Sequence, residues 1–437
     1  MPDSAPFRGS FPRLLFITPA AFNRTSGGGI TFSNLFRGWP KDRIATVHSD
    51  PTPVTTDICE RYYRLGEAEI ATWLLLRRLR GPAASSAAAL GSGAANPRLR
   101  HRLKSIVFGD GLPERGHLSP RLRSWIAEYR PDLIYTILGG IGLMELIEAV
   151  RRDFALPLAL HFMDDWQAAI HRGGFLSPLQ RRQMQRLVAR LVAAAEVRLG
   201  ICEAMCEDYA RRWGRSFTPF QNAVDVARWR AFAKRDLAVG TPIRLLYTGS
   251  VLGFAQAASL ADCCAVVAAL AGEGLAITLD IHSPLSQTAP LRHRLECGGA
   301  VRIHDTIAAD EDYFRTLAAA DILLLPVNFD AHSQRYIRLS MPTKVPAYLV
   351  SGTPVLAYGP PETAQIAYAR AGGWAHVVDR RDPAALGAAI RRLASDMTLR
   401  RQLSAAQRSA AARHDAATIR PRFQATLAGA RRQVSHA

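Results

Sequence analysis

The sequence is poor in the features that mark several protein classes. No uncharged apolar run reaches the roughly 18 residues that a membrane-spanning helix needs. The N-terminal run LLFITPAAF is short and contains proline, so it reads as a first strand rather than a secretory leader. Six cysteines are spread over 437 residues, and none forms a paired zinc spacing. Cys202 and Cys206 stand four apart with no second pair nearby; all six read as reduced, structural thiols of a cytoplasmic protein. There is no GxGxxG, no GK[ST] after a glycine loop, no nucleophile elbow and no HExxH. Those absences argue against hydride transfer, Walker-type nucleotide hydrolysis, and serine or zinc hydrolases. Negative charge is also scarce: 37 acidic residues face 55 basic ones, for a formal charge of +18. The excess, mostly arginine, favours anionic partners such as nucleotide phosphates or acidic headgroups. Aromatic residues do not interleave with the basic ones as base-stacking surfaces require, so nucleic acid is not an expected partner.

What is present is an apolar content of 48%, enough for a large interior, in a chain too long for one ordinary core. The first half alternates short apolar strands with amphipathic helices. Strands are expected at 13–18, 44–49, 132–138, 156–162 and 197–202, with a helix at 30–39. A second alternation begins near residue 242 and runs through IRLLYTGS, AITLDIHS, AVRIHD, DILLLPVN, PVLAY and HVVD. Parallel sheets covered on both faces follow from this rhythm. The expected organisation is a first α/β domain over 1–228 with an insertion at about 55–125. A linker over 229–241, a second domain over 242–415 and a tail over 416–437 that can cross back to the first domain complete it. Within the insertion, PAASSAAALGSGAANP (82–97) is low in complexity and flanked by arginines. Residues 178–198 read as a basic amphipathic helix, packed on its domain or lying on an anionic membrane.

In doubly wound folds, ligands bind beyond the C-terminal ends of the strands. Several residues stand there. Gly27, Gly28 and Gly29 of SGGG follow the first strand and offer amides to an anion. His161, Asp164 and Asp165 of HFMDDW end another strand; Asp165 can also cap the next helix. Gly249 and Ser250 close the first strand of the second half. In RLSMPTKVPAYLVSGTPVLAYGPPE (338–362), Ser340 reads as a helix cap, Pro342 as a first-turn residue and Lys344 as a cation in that turn. A cation there is unfavourable unless something negative joins it.

Taken in order, SGGG, His161, PFQNAVD, LLYTGS, RIHDTIAADEDYFRTLAAADILLLP and the 338–362 stretch resemble a GT-B nucleotide-sugar glycosyltransferase, similar to family 4 of that class. The resemblance runs over nearly the whole chain and is strongest in the second half. It implies two Rossmann-like domains facing a central cleft, and a metal-independent hexosyltransferase without a cofactor, using a UDP- or GDP-linked sugar. It also implies a glycan or lipid-linked acceptor in envelope or polysaccharide assembly, usually with retention of configuration. On this basis His161, Asp164 and Lys344 are the catalytic candidates. Gly27, Gly28, Gly29, Gly249, Ser250, Ile303, His304, Ile307, Ser340, Thr343, Lys344 and Glu362 would contact the donor. The resemblance departs at two places. The two glutamates typical of the family fall approximately at Leu339 and Ala347, and the basic pair after the second domain's first strand is replaced by Ser250 and Gln256. A degenerate scaffold that binds an anionic membrane or nucleic acid, or a sugar-nucleotide epimerase of the same fold, is the alternative. Arginines around 77–102 suggest a peripheral position at the inner membrane.

Overall fold

The computed structural model describes residues 10–23, 26–72 and 113–434. The low-complexity stretch 82–97 and its flanking arginines lie outside these residues. The chain divides into two compact units, one of residues 1–222 with 419–437 and one of residues 223–418.

The first unit is built on β1 (Leu14–Thr18), β2 (Ile44–His48), β3 (Arg61–Arg64), β6 (Leu133–Thr136), β7 (Leu158–Phe162), β8 (Val197–Gly200) and β9 (Thr218–Pro219). They form one sheet in the order β3-β2-β1-β6-β7-β8-β9, and every pairing is parallel. A separate antiparallel pair joins β4 (Ile70–Thr72) to β5 (Glu114–Gly116). The sequence explains the parallel arrangement. LLFIT, IATVH and LALHF are apolar at nearly every position and buried throughout, as strands covered on both faces must be. Phe16 in β1 packs on Tyr135, Phe22, Phe32 and Phe36. Phe423, from the last helix (Ala416–Val434), completes this cluster with its ring 5.0 Å from that of Phe36. The tail therefore packs into the first unit from Ile419 onward.

The second unit carries β10 (Ile243–Thr248), β11 (Ile277–His282), β12 (Val301–His304), β13 (Ile322–Pro326), β14 (Val355–Tyr358) and β15 (Ala375–Val378). Their order is β12-β11-β10-β13-β14-β15, again all parallel. The order reverses between β10 and β13, which opens a switch point at their C-terminal ends. Residues 229–241, expected as a linker, lie within this unit. Trp229 stacks on Phe314 with ring centroids 4.3 Å apart, and Lys234 donates to the carbonyls of Ala318 and Ala320. Short helical turns at Val226–Trp229 and Arg230–Phe232 give no periodicity that the sequence alone could display.

Candidate active site

The switch point of the second unit is organised around Gly249, Lys344 and Asn328. Gly249 follows β10 with φ +107°, a conformation that side chains rarely adopt. Its amide donates to the His282 carbonyl at 2.9 Å, which fixes the turn to the end of β11. A Cβ at this position would stand 3.2 Å from the Lys344 amine. The Tyr247 hydroxyl and the Gln256 amide both donate to the Ser250 carbonyl, so that loop has a defined shape.

Lys344 does not sit in the first turn of its helix. The helix runs from Val345 to Ser351, and Lys344 is its N-cap, with the carbonyl accepting from Tyr348 N–H at 3.0 Å. Residues 342–345 turn before the helix begins, and Pro346 rather than Pro342 occupies the first turn, where a missing N–H costs nothing. Ser340 is correspondingly placed before that turn, its hydroxyl 3.3 Å from the Tyr336 carbonyl, and it does not cap this helix. The Lys344 Nζ lies 3.8 Å from the centroid of the Tyr247 ring. Among the described residues it has neither an ion pair nor a hydrogen bond. Burial alone pulls its pKa from 10.5 down to about 7. At the end of β10, the hydroxyls of Tyr313 and Tyr348 each lie 3.2 Å from Thr248 Oγ1. The sequence suggested that the β10 loop offers amides without charge; the folded chain brings the charge to it from 95 positions later, since Gly249 and Lys344 meet.

Asn328, at the end of β13, went unnoticed in the sequence. Its carbonyl oxygen accepts from Ala258 and Ser259 N–H, and its amide donates to the Gly253 carbonyl and the Ser333 hydroxyl. One buried side chain thus ties the loop after β10 to the loop after β13. The only signal was an asparagine ending an apolar strand.

The remaining donor-side candidates share this sheet edge in different ways. Ile303 is partly buried and packs its side chain against the unit's core. His304 bonds Asp280 at 2.8 Å and stacks on His282, ring centroids 4.7 Å apart. Ile307 and Thr343 are half-buried, and Glu362 is exposed just before the helix Ala364–Gly372. Leu339 and Ala347, at the positions expected for glutamates, are buried among apolar neighbours.

In the first unit, the three glycines are not a loop. Ser26 caps a helix that starts at Gly27, its hydroxyl accepting from Gly29 N–H at 3.1 Å, so the helix spans Gly27–Phe36 rather than 30–39. Gly29 packs against Asn23, where a Cβ would approach to 2.4 Å, while Gly27 is exposed. Ser26 followed by glycines resembled a turn because glycine is a poor helix former; the cap outweighs that preference.

His161 is only 1% exposed. Its Nδ1 lies 2.6 Å from the Tyr135 hydroxyl and its Nε2 2.9 Å from the Phe220 carbonyl. A carbonyl can only accept, so Nε2 carries the proton and Nδ1 accepts from Tyr135. Burial lowers the pKa to about 4, keeping the ring neutral. Both nitrogens are therefore occupied inside the unit, and the ring positions β7 against β9 rather than presenting itself at a surface. Asp165 does not face outward either. It is buried in a two-pronged pair with Arg212, at 3.0 and 2.7 Å, and accepts from the Tyr209 hydroxyl. Asp164 beside it is half-buried. Among the described residues no three His, Cys, Asp or Glu side chains cluster in a way that could hold a metal ion.

Two parallel doubly wound sheets with this strand order define the GT-B fold. No protein-family model matches the sequence, and no curated protein is similar to it. Solved structures of the same fold do match over the full chain. Sucrose-phosphate synthase from Thermosynechococcus elongatus is 14% identical with a TM-score of 0.60, covering 97% of this chain and 99% of its own. The α,α-trehalose 6-phosphate synthase of Burkholderia multivorans is 13% identical with a TM-score of 0.61, covering 98% of each chain. The trehalose-6-phosphate synthase of E. coli, bound with UDP-2-fluoro glucose, is 11% identical with a TM-score of 0.58, covering 96% of this chain and 99% of its own.

Proposed function

We propose that this protein transfers a glycosyl group from a UDP- or GDP-linked sugar to an acceptor hydroxyl. The observation that carries the reading is Lys344: a half-buried lysine whose amine has no counter-ion among the described residues, held over Tyr247 at the switch point beside Gly249, where the missing Cβ leaves the backbone amides open to a ligand. A cation partly withdrawn from water is favoured where an anion joins it. A pyrophosphate lying against the Gly249 turn would supply that anion. In the reaction, the bond between the anomeric carbon and the diphosphate oxygen breaks, and a bond from that carbon to the acceptor oxygen forms. The bonding pair leaves with the diphosphate, where the Lys344 ammonium stabilises it in a site of low dielectric. The acceptor proton passes to a departing phosphate oxygen. Attack on the face the diphosphate leaves retains the anomeric configuration. An envelope or polysaccharide glycan is the acceptor class this reading favours.

Turnover of a panel of UDP- and GDP-sugars, measured as nucleotide release, tests the proposal. Lys344→Ala should lose at least about 100-fold in kcat/KM while remaining folded. Unaltered turnover in that variant rejects it. The apolar residues at Leu339 and Ala347 favour a second reading, a scaffold that retains the fold without catalysis. Calorimetry separates the two: micromolar binding of UDP or GDP supports the enzyme, and absent binding of both supports the scaffold.

A further inference from the structure

The most exposed large apolar side chain among the described residues is Phe175, at 85%, followed by Leu179, at 62%. They are neighbours. Phe175 lies in a tight turn closed by the Gly174 N–H donating to the Ser177 hydroxyl and by Ser177 N–H donating to the Gly174 carbonyl. The helix Ser177–Ala194 starts immediately afterwards. The turn is therefore ordered by its own hydrogen bonds while its phenylalanine points away from the core. The buried side of the helix is fully used: Met184, Leu187, Val188, Leu191 and Val192 pack inward. Leu179 is not part of that stripe.

The same outer face is positive. Leu179, Arg182 and Arg186 follow at intervals of three and four, so they share one side of the helix. Arg182 and Arg186 are exposed and have no acidic partner among the described residues. The helix SPLQRRQMQRLVARLVAA contains no acidic residue. The carboxylates on the neighbouring helix Ile141–Asp153 are already engaged: Glu145 by Arg115, Glu148 by Arg152 and Arg190, and Asp153 by Arg123. No helix among the described residues is long and apolar enough to cross a membrane.

We propose that this surface docks on an anionic lipid bilayer, with Phe175 and Leu179 entering the headgroup–acyl boundary and Arg182 and Arg186 pairing with lipid phosphates. Two exposed apolar residues followed by arginines along one helix face match the layering of a membrane interface, apolar below and anionic above. Neither a soluble protein partner nor a nucleic acid requires that order. The location adds a consequence within the first unit. The chain reaches Phe175 from the C-terminal end of β7 and returns along the helix to β8, parallel to β7. The inserted end of the helix thus lies at the sheet edge where a doubly wound unit holds its ligand.

Co-sedimentation of the full chain with vesicles tests this, using phosphatidylcholine alone and phosphatidylcholine mixed with phosphatidylglycerol. The wild-type protein should pellet with the mixed vesicles at low salt and stay in solution with phosphatidylcholine. Phe175→Ser with Leu179→Ser, and separately Arg182→Gln with Arg186→Gln, should each weaken the apparent affinity by about tenfold or more. Thermal melts of both variants should match wild type, because these side chains make no core contact. Wild-type protein remaining in solution with the anionic vesicles overturns the proposal. So does wild-type vesicle affinity in both folded variants, or single-stranded RNA capturing the protein when vesicles do not. Because these residues are remote in sequence from Lys344 and lie in the other unit, the result stands or falls independently of sugar transfer.

Discussion

Lys344 holds its ammonium 3.8 Å from the ring centroid of Tyr247, and that ring, not a carboxylate, is what it faces. A ring face attracts a cation weakly compared with what full hydration supplies, about 2 kcal/mol when desolvated. The partial withdrawal of this ammonium from water is therefore only partly offset within the fold. Lys344→Met keeps the volume and removes the charge. It should raise the melting temperature by at least about 2 °C at pH 6, a shift that corresponds to roughly 1 kcal/mol in a cooperative unit of about 200 residues. Differential scanning calorimetry checks it, and a lower melting temperature would show that the lysine has a stabilising partner.

The sign with pH follows from the same residue. A lysine whose pKa falls from 10.5 to about 7 on folding destabilises the folded state fully below pH 7. That penalty shrinks between 7 and 10.5, because the unfolded chain then holds the extra proton, and it vanishes above. The gain from Lys344→Met should accordingly be smaller at pH 9 than at pH 6. Binding of a nucleotide sugar, whose diphosphate diester does not titrate in this range, should weaken as pH rises above 7, by up to about tenfold per unit. Calorimetric titrations at pH 7 and pH 9, in buffers of different ionisation enthalpy, would reveal the proton taken up on binding.

Gly249→Ala adds a Cβ where φ is +107° and where the lysine side chain stands 3.1–3.2 Å away. The backbone strain should cost about 1–2 kcal/mol of stability. The lysine must also move, so donor affinity should fall by about tenfold or more, a loss beyond what the lower stability explains. Chemical denaturation together with nucleotide titration separates the two effects. An unchanged affinity would detach this glycine from the site.

His161→Gln tests whether that ring is part of the core or of the chemistry. Loss of the bonds to Tyr135 and Phe220 should cost about 2 kcal/mol near neutral pH. The wild-type pKa of about 4 lies below the ordinary 6.5, so the wild-type fold loses stability as pH falls from 6.5 to 4. The difference between variant and wild type should therefore narrow over that range. A flat difference, coupled with a changed pH profile of turnover, would move His161 back into the reaction.

Much of the fold was readable because fully buried strands announce themselves: LLFIT, LALHF and DILLLP admit no other arrangement in a chain of alternating helices. Asp165 and His161 were harder. Both stand at a strand's end, where reactive groups gather, yet their partners Arg212, Tyr209, Tyr135 and Phe220 are 26 to 59 residues distant in sequence. Only the folded chain shows that these polar groups are satisfied. The meeting of Gly249 and Lys344 depends likewise on two strands being neighbours in space. The helix start at Gly27 was hidden for a different reason, since capping by Ser26 overrode the poor helix preference of three glycines.

Phe423 has no exposed surface and fills the middle of the first unit's aromatic cluster, although the whole second unit, residues 223–418, precedes it in the chain. During synthesis, then, the domain begun first cannot be finished until the ribosome has passed Phe423, while the domain begun later can already close. Removing the stretch that carries Phe423 would injure the front of the protein rather than what lies just before it in the chain.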